Sequence, residues 1–344
     1  MAWDLRSGIS VNHHATPGIL VREIAVPGPP TGARVSDPSP PPASATPYIW
    51  GYDLVRLLAL ACVASRHLLA VSTRDSGVIS YWLGVPVFAA LSGFLAMRDT
   101  GGSSRWLARR LERILIPYWI FLAGILAANC AARYKPVTPG LVLAQFLGVA
   151  YYTHPGQLIG VHTWFIGAIL TCYVIAAIVR RDRRLLPVAI VASLGLMSRG
   201  VPAPWDVLLA FLAGAVVARA PRPRVAAGGI AGAALLAYLA CHEWFPGIVT
   251  GTSALWLLPV VTGTSALWLG SFFVGVRPRI LSATSRISYE FFLVHGPIYL
   301  GLAKLARLDL VAILVIGTPL SVLAAELLHR ASQGVSSASR AVRP

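Results

Sequence analysis

Between Ile49 and Thr73 an otherwise apolar run carries Asp53, Arg56, Arg66 and His67. About 20 helical residues cross a hydrocarbon core of ~30 Å, so the run is long enough to span a bilayer. A charge at the centre of such a helix costs roughly 2.5–3.5 kcal/mol on insertion scales, so these side chains need a reason to be there. Arg56 and His67 are eleven positions apart. At 3.6 residues per turn they share one face, about 16 Å apart along the axis. A neutral imidazole can take the proton of a hydroxyl as its oxygen attacks a thioester. A guanidinium deeper in the helix can hold a carbonyl or anionic group of the donor. The plainer alternative is an Asp53–Arg56 ion pair at i,i+3 spacing, with His67 a polar residue near the interface. Arg66 sits ~100° round from His67, where it can snorkel to head groups.

Three further clusters carry chemistry-capable side chains. Arg109, Arg110 and Arg113 stand at i,i+3 and i,i+4 spacing before Ile114-Leu-Ile-Pro117-Tyr118-Trp119. On a helix such a set can clamp phosphates, although cytoplasmic arginines are expected in any membrane protein. Tyr289, Glu290 and His295 lie in an apolar stretch with Pro297, which frees a carbonyl one turn back and predicts a kink. They read equally as a packed polar pair or as pocket residues. His162 and Trp164 open a further apolar stretch, where a tryptophan suits the membrane interface.

The chain that must position these groups has 344 residues, 56% of them hydrophobic and 12% charged, with a mean hydropathy of +0.69. A soluble domain carries about 25% charged residues, so a polytopic membrane protein is the reading. The net charge of +16 does not indicate nucleic acid, because the basic residues fall between apolar stretches rather than in one patch. Ten stretches are expected to span, at about 49–73, 78–97, 114–133, 160–180, 185–199, 205–219, 225–242, 252–275, 286–304 and 309–328. The connections alternate between arginine-rich and arginine-poor, which places both termini in the cytoplasm by the positive-inside rule. The expected fold is therefore an all-α polytopic membrane helical bundle. The connection 134–159 holds a semi-apolar run that suits a short re-entrant or interfacial helix.

Residues 1–48 are Pro-rich and read as a disordered cytoplasmic tail, residues 49–330 as the membrane domain, and residues 331–344 as a second cytoplasmic tail. The four cysteines lie in apolar stretches without metal-ligand spacing, so neither a disulfide nor a metal is expected.

Taken in order, these residues resemble the acyltransferase-3 family of integral membrane proteins. The Y-D-L-V-R opening, with Arg56 and His67 separated by ten residues, resembles its arginine–ten–histidine motif. G-V-P-V-F-A-A-L-S-G-F-L at 84–95 is similar to its second-span pattern, and R-R-L-E-R at 109–113 to its cytoplasmic arginine motif. H-T-W-F-I and S-Y-E-F-F-L-V-H-G-P-I resemble two later signatures. Pro86 and Arg66 depart from the pattern, and residues 1–48 have no counterpart in it.

The resemblance implies an O-acyltransferase moving an acyl group, with acetyl the expected one, from acyl-coenzyme A to a hydroxyl of a carbohydrate or glycosylated small molecule. His67 would be the general base and Arg56 would position the donor. Arg109, Arg110 and Arg113 would bind coenzyme A phosphates. Asp53, His162, Trp164, Tyr289, Glu290 and His295 would line the acceptor site. Membrane lipid is the remaining expected partner. A secondary transporter, for which intramembrane Asp, Arg, Glu and His would suit proton coupling, and a non-catalytic scaffold are the competing readings.

Overall fold

The computed structural model describes residues 49–72, 78–154, 156–199, 204–244, 257–275 and 278–341. The expectation for the Pro-rich segment 1–48 lies outside them. Every regular element among the described residues is helical: α1 Gly51–Ser72, α2 Val78–Arg98, α3 Ser103–Ala132, α4 Pro139–Phe146, α5 Ala150–Thr153, a 3₁₀ turn Val161–Thr163, α6 Trp164–Arg181, α7 Leu185–Ser198, α8 Trp205–Arg219, α9 Pro223–Trp244, α10 Leu257–Gly270, α11 Arg279–Arg286, α12 Ser288–Lys304, α13 Leu310–Ala312 and α14 Thr318–Ala341. A π-helical turn, Ile313–Gly317, joins α13 to α14 without a break.

Each of the ten apolar stretches contains one of these helices, with two extensions. α3 starts at Ser103, so the arginine run and the stretch that follows it form one continuous helix. The last helix continues to Ala341, well beyond 328, so most of the segment read as a C-terminal tail is helical. Among the described residues, four helical stretches are long and apolar enough to cross a membrane: Gly51–Val71, Ser103–Ala132, Trp164–Arg181 and Leu310–Ala338. Helix α7, Leu185–Ser198, is apolar but shorter. Connection 134–159 forms α4, whose Thr138 side chain accepts the Leu141 amide at the N-terminus, and the single turn α5.

The bundle is apolar on its outside as well as inside. Val191 and Leu236 are each 69% exposed, and Val315 and Leu323 project outward from the last helix. In water such faces would drive association; against acyl chains they cost nothing. The interior is filled by Phe94, Trp106, Tyr118, Tyr173 and Phe211. α2 is the central helix, packed on α1, α8 and α10. It meets α8 through reciprocal glycines: a Cβ on Gly93 would strike the Phe211 carbonyl, and one on Gly214 the Ala90 carbonyl.

The arginine-rich ends gather at one end of the bundle. Arg180 at the end of α6 donates to the carbonyls of Ala96, Asp99 and Gly101, which close α2 and lead into α3. Arg219 reaches the Arg183 and Val179 carbonyls, Arg224 the Ser271 carbonyl, and Arg286 the Glu326 carboxylate. Cations at helix C-termini complement the orphan carbonyls and the macrodipole there. These arginines therefore tie helix ends together, beyond any part they play in topology.

Candidate functional site

At the other end of α1, away from the arginines, three imidazoles converge. Their hydrogen bonds fix which nitrogen carries each proton. His295 Nδ1 lies 2.9 Å from the Phe291 carbonyl. A carbonyl only accepts, so Nδ1 donates and Nε2 is left with a lone pair. His67 Nδ1 lies 2.7 Å from that Nε2, so His67 must donate from Nδ1. The two ring planes lie 16° from parallel, with centroids 4.8 Å apart. The lone pair of His67 therefore resides on Nε2.

The third imidazole is placed by a proline. Pro297 has no N–H, so the Leu293 carbonyl four residues earlier loses its helical donor. His162 Nε2 supplies it at 2.8 Å. His162 sits in the 3₁₀ turn before α6, and it can approach α12 closely because residue 296 is glycine. A Cβ there would lie 3.1 Å from His162 Nδ1 and 3.3 Å from its Cε1. Gly296→Ala is therefore expected to push the ring off the Leu293 carbonyl and lower stability by about 1–3 kcal/mol, the cost of an orphaned buried carbonyl. A melting curve matching wild type would show that the ring moves aside without losing its bond.

His67 and His162 line a cavity of about 30 Å³ with Val63, Arg66, Val85, Trp164 and Phe292. It has room for about two waters. Among the described residues, no carboxylate lines it. Four of the six imidazole nitrogens are spent on one another and on backbone carbonyls, and no group of three or more His, Cys, Asp or Glu among the described residues is arranged to hold a metal ion. Chemically, the site offers a neutral base, Nε2 of His67, on a residue that lines a small, mostly apolar space with one guanidinium in its wall.

Arg56 and Asp53 belong to a different cluster. Arg56 donates to Asp53 Oδ1 and to Ser285 Oγ at 2.8 Å each, and Ser285 Oγ donates to Asp53 Oδ1 at 2.8 Å. All three are buried, and the triangle pins α1 to α11. The expected shared face of Arg56 and His67 is present, since both turn toward the α11–α12 segment. Arg56 and Asp53 bond to Ser285 in this triangle, and neither is among the described residues that line the cavity.

The arginine run also divides. Arg110 is buried against Trp106 and lies 3.7 Å from Asp99. Arg113 lies within electrostatic reach of Glu290 and Tyr173. The Arg109 side chain is 51% exposed, 3.5 Å from Asp99. Tyr289 donates to the Ile114 carbonyl at 2.9 Å, and Glu290 Oε1 meets His329 Nδ1 at 2.8 Å. Neither lines the cavity, so of the expected acceptor residues only His162 and Trp164 do, with His295 directly behind His67. Of the three arginines of the run, Arg109 is therefore the exposed one, while Arg110 is buried beside Asp99.

Sequence reasoning missed Ser285, Asp99, Arg180 and His329. No local signal marked them: Ser285 lies 229 positions from Arg56, and Arg180 looked like one more cytoplasmic arginine.

The family model described as an acyltransferase domain matches residues 49–330. No curated protein and no solved structure matches the chain.

Proposed function

The chain belongs to the acyltransferase-3 family, and on that premise we propose that it moves an acetyl group from acetyl-coenzyme A to a hydroxyl of a carbohydrate or glycosylated small molecule. The observation that carries this reading is the His295–His67 pair, which leaves a lone pair on Nε2 of His67, a residue that lines the cavity. His67 Nε2 takes the hydroxyl proton as the acceptor oxygen bonds to the thioester carbon. The tetrahedral intermediate then collapses with loss of the coenzyme A thiolate, which takes the proton back from His67. The products are an ester and free coenzyme A.

Ten membrane crossings, with both termini cytoplasmic, put every arginine-rich end on the inner side. The donor then enters from that side. Arg109, the most exposed of the three arginines, is the phosphate contact in this reading, while Arg110 and Arg113 position the helix that carries it. Arg109→Gln is expected to raise KM for acetyl-coenzyme A several-fold with kcat unchanged, as loss of uniform binding does. An unchanged KM removes Arg109 from the donor site. The acceptor meets His67 from the opposite side of the membrane.

The direct test supplies purified protein in nanodiscs with acetyl-coenzyme A labelled in the acetyl group and a panel of sugars and lipid-linked sugars. Label is expected in a product that mild alkali cleaves, as it does an ester. Label confined to acetyl-coenzyme A across the panel would favour a transporter or scaffold.

A further inference from the structure

Arg66 departs from the family pattern, and it does something unusual in the fold. It lines the cavity beside His67, and its Nε and Nη1 are buried with no hydrogen-bond partner. Among the described residues that line the cavity it is the one guanidinium, and none of them carries a carboxylate. Snorkelling would carry its nitrogens to the interface; two of them instead remain inside.

Buried N–H groups of a guanidinium that lack a partner are costly at rest. An oxygen that gains negative charge in the cavity supplies one. With room for about two waters, the space fits a reacting carbonyl and an attacking oxygen, and is too small for the body of a charged acceptor.

We propose that Arg66 is a catalytic residue that stabilises the oxyanion formed during acyl transfer, an inference that rests on the acyltransferase reading. When the acceptor oxygen bonds to the thioester carbon, the carbonyl π electrons move onto its oxygen, and the Arg66 N–H groups hold that charge. His67 Nε2 meanwhile holds the hydroxyl proton. Collapse re-forms the carbonyl, expels the coenzyme A thiolate and releases Arg66. The donors are in place before the charge develops, which is what makes such groups effective in a water-poor site.

The test compares wild type, Arg66→Met and Arg66→Lys in nanodiscs. It measures acetyl-coenzyme A affinity, kcat with the sugar panel, and melting temperature. Arg66→Met is expected to lower kcat by about 10²–10³-fold, with acetyl-coenzyme A affinity unchanged. Its melting temperature should equal or exceed that of wild type, because buried N–H groups that lack a partner have been removed. Arg66→Lys should recover part of kcat. A purely structural arginine would instead lower the melting temperature when lost, and that result overturns the assignment, as does Arg66→Met turning over like wild type. Wild-type protein that neither binds nor consumes acetyl-coenzyme A would overturn the acyltransferase reading itself, and this assignment with it.

Discussion

His67→Ala is expected to lower acyl transfer by about 10²–10⁴-fold, the range that a positioned general base contributes. The same residue's partner makes this prediction sharper. His295 accepts the Nδ1 proton of His67 at 2.7 Å, so it fixes the tautomer without touching the substrate. His295→Leu removes that acceptor and frees the imidazole to turn or to move its proton to Nε2, where it can no longer act as a base. His295→Gln keeps an acceptor oxygen on a side chain of similar reach, and should recover part of the activity that the leucine variant loses. Because the two histidines act as one unit, His67→Ala combined with His295→Leu should be no slower than His67→Ala alone. Independent, additive losses would show that the pair does not work together. Steady-state coenzyme A release by wild type and these four variants measures all of this.

Arg56→Met is expected to damage folding more than chemistry. Its loss leaves Asp53 ionised, buried and short of its cation, a situation that costs about 3–5 kcal/mol in comparable buried pairs. Asp53→Asn combined with Arg56→Met removes both charges and should regain much of that stability. Thermal melts in nanodiscs decide between this account and one in which Arg56 holds the donor. In the structural account the melting temperature falls in Arg56→Met and largely returns in the double variant. If Arg56 serves the donor, stability stays near wild type and KM for acetyl-coenzyme A rises in both.

These two predictions separate what the sequence could and could not disclose. The spacing of Arg56 and His67 follows from helical periodicity alone, so their common face was legible. Their division between two clusters was not, because it depends on Ser285 and His295 arriving from more than 200 positions away. Pro297 announced an orphan carbonyl; nothing local said that His162 would fill it. The arginine run was ambiguous for a physical reason: the same residues satisfy topology, buried carboxylates and phosphates, and only the placement of Asp99 and Glu290 shows which ones face inward. Helix positions were easier, because each apolar stretch carries its own signal. The early start of α3 was missed because its first turns are polar, and polar helix ends carry little hydropathy.

The central claim is that His67 activates a hydroxyl for attack on an acyl thioester. The most direct measurement is free-thiol release from acetyl-coenzyme A by the purified protein in lipid nanodiscs, wild type beside His67→Ala, with and without the sugar panel. Thiol release that needs both an acceptor and His67 is the predicted result. Release that persists in His67→Ala would contradict the account, as would no release with any acceptor together with no binding of acetyl-coenzyme A.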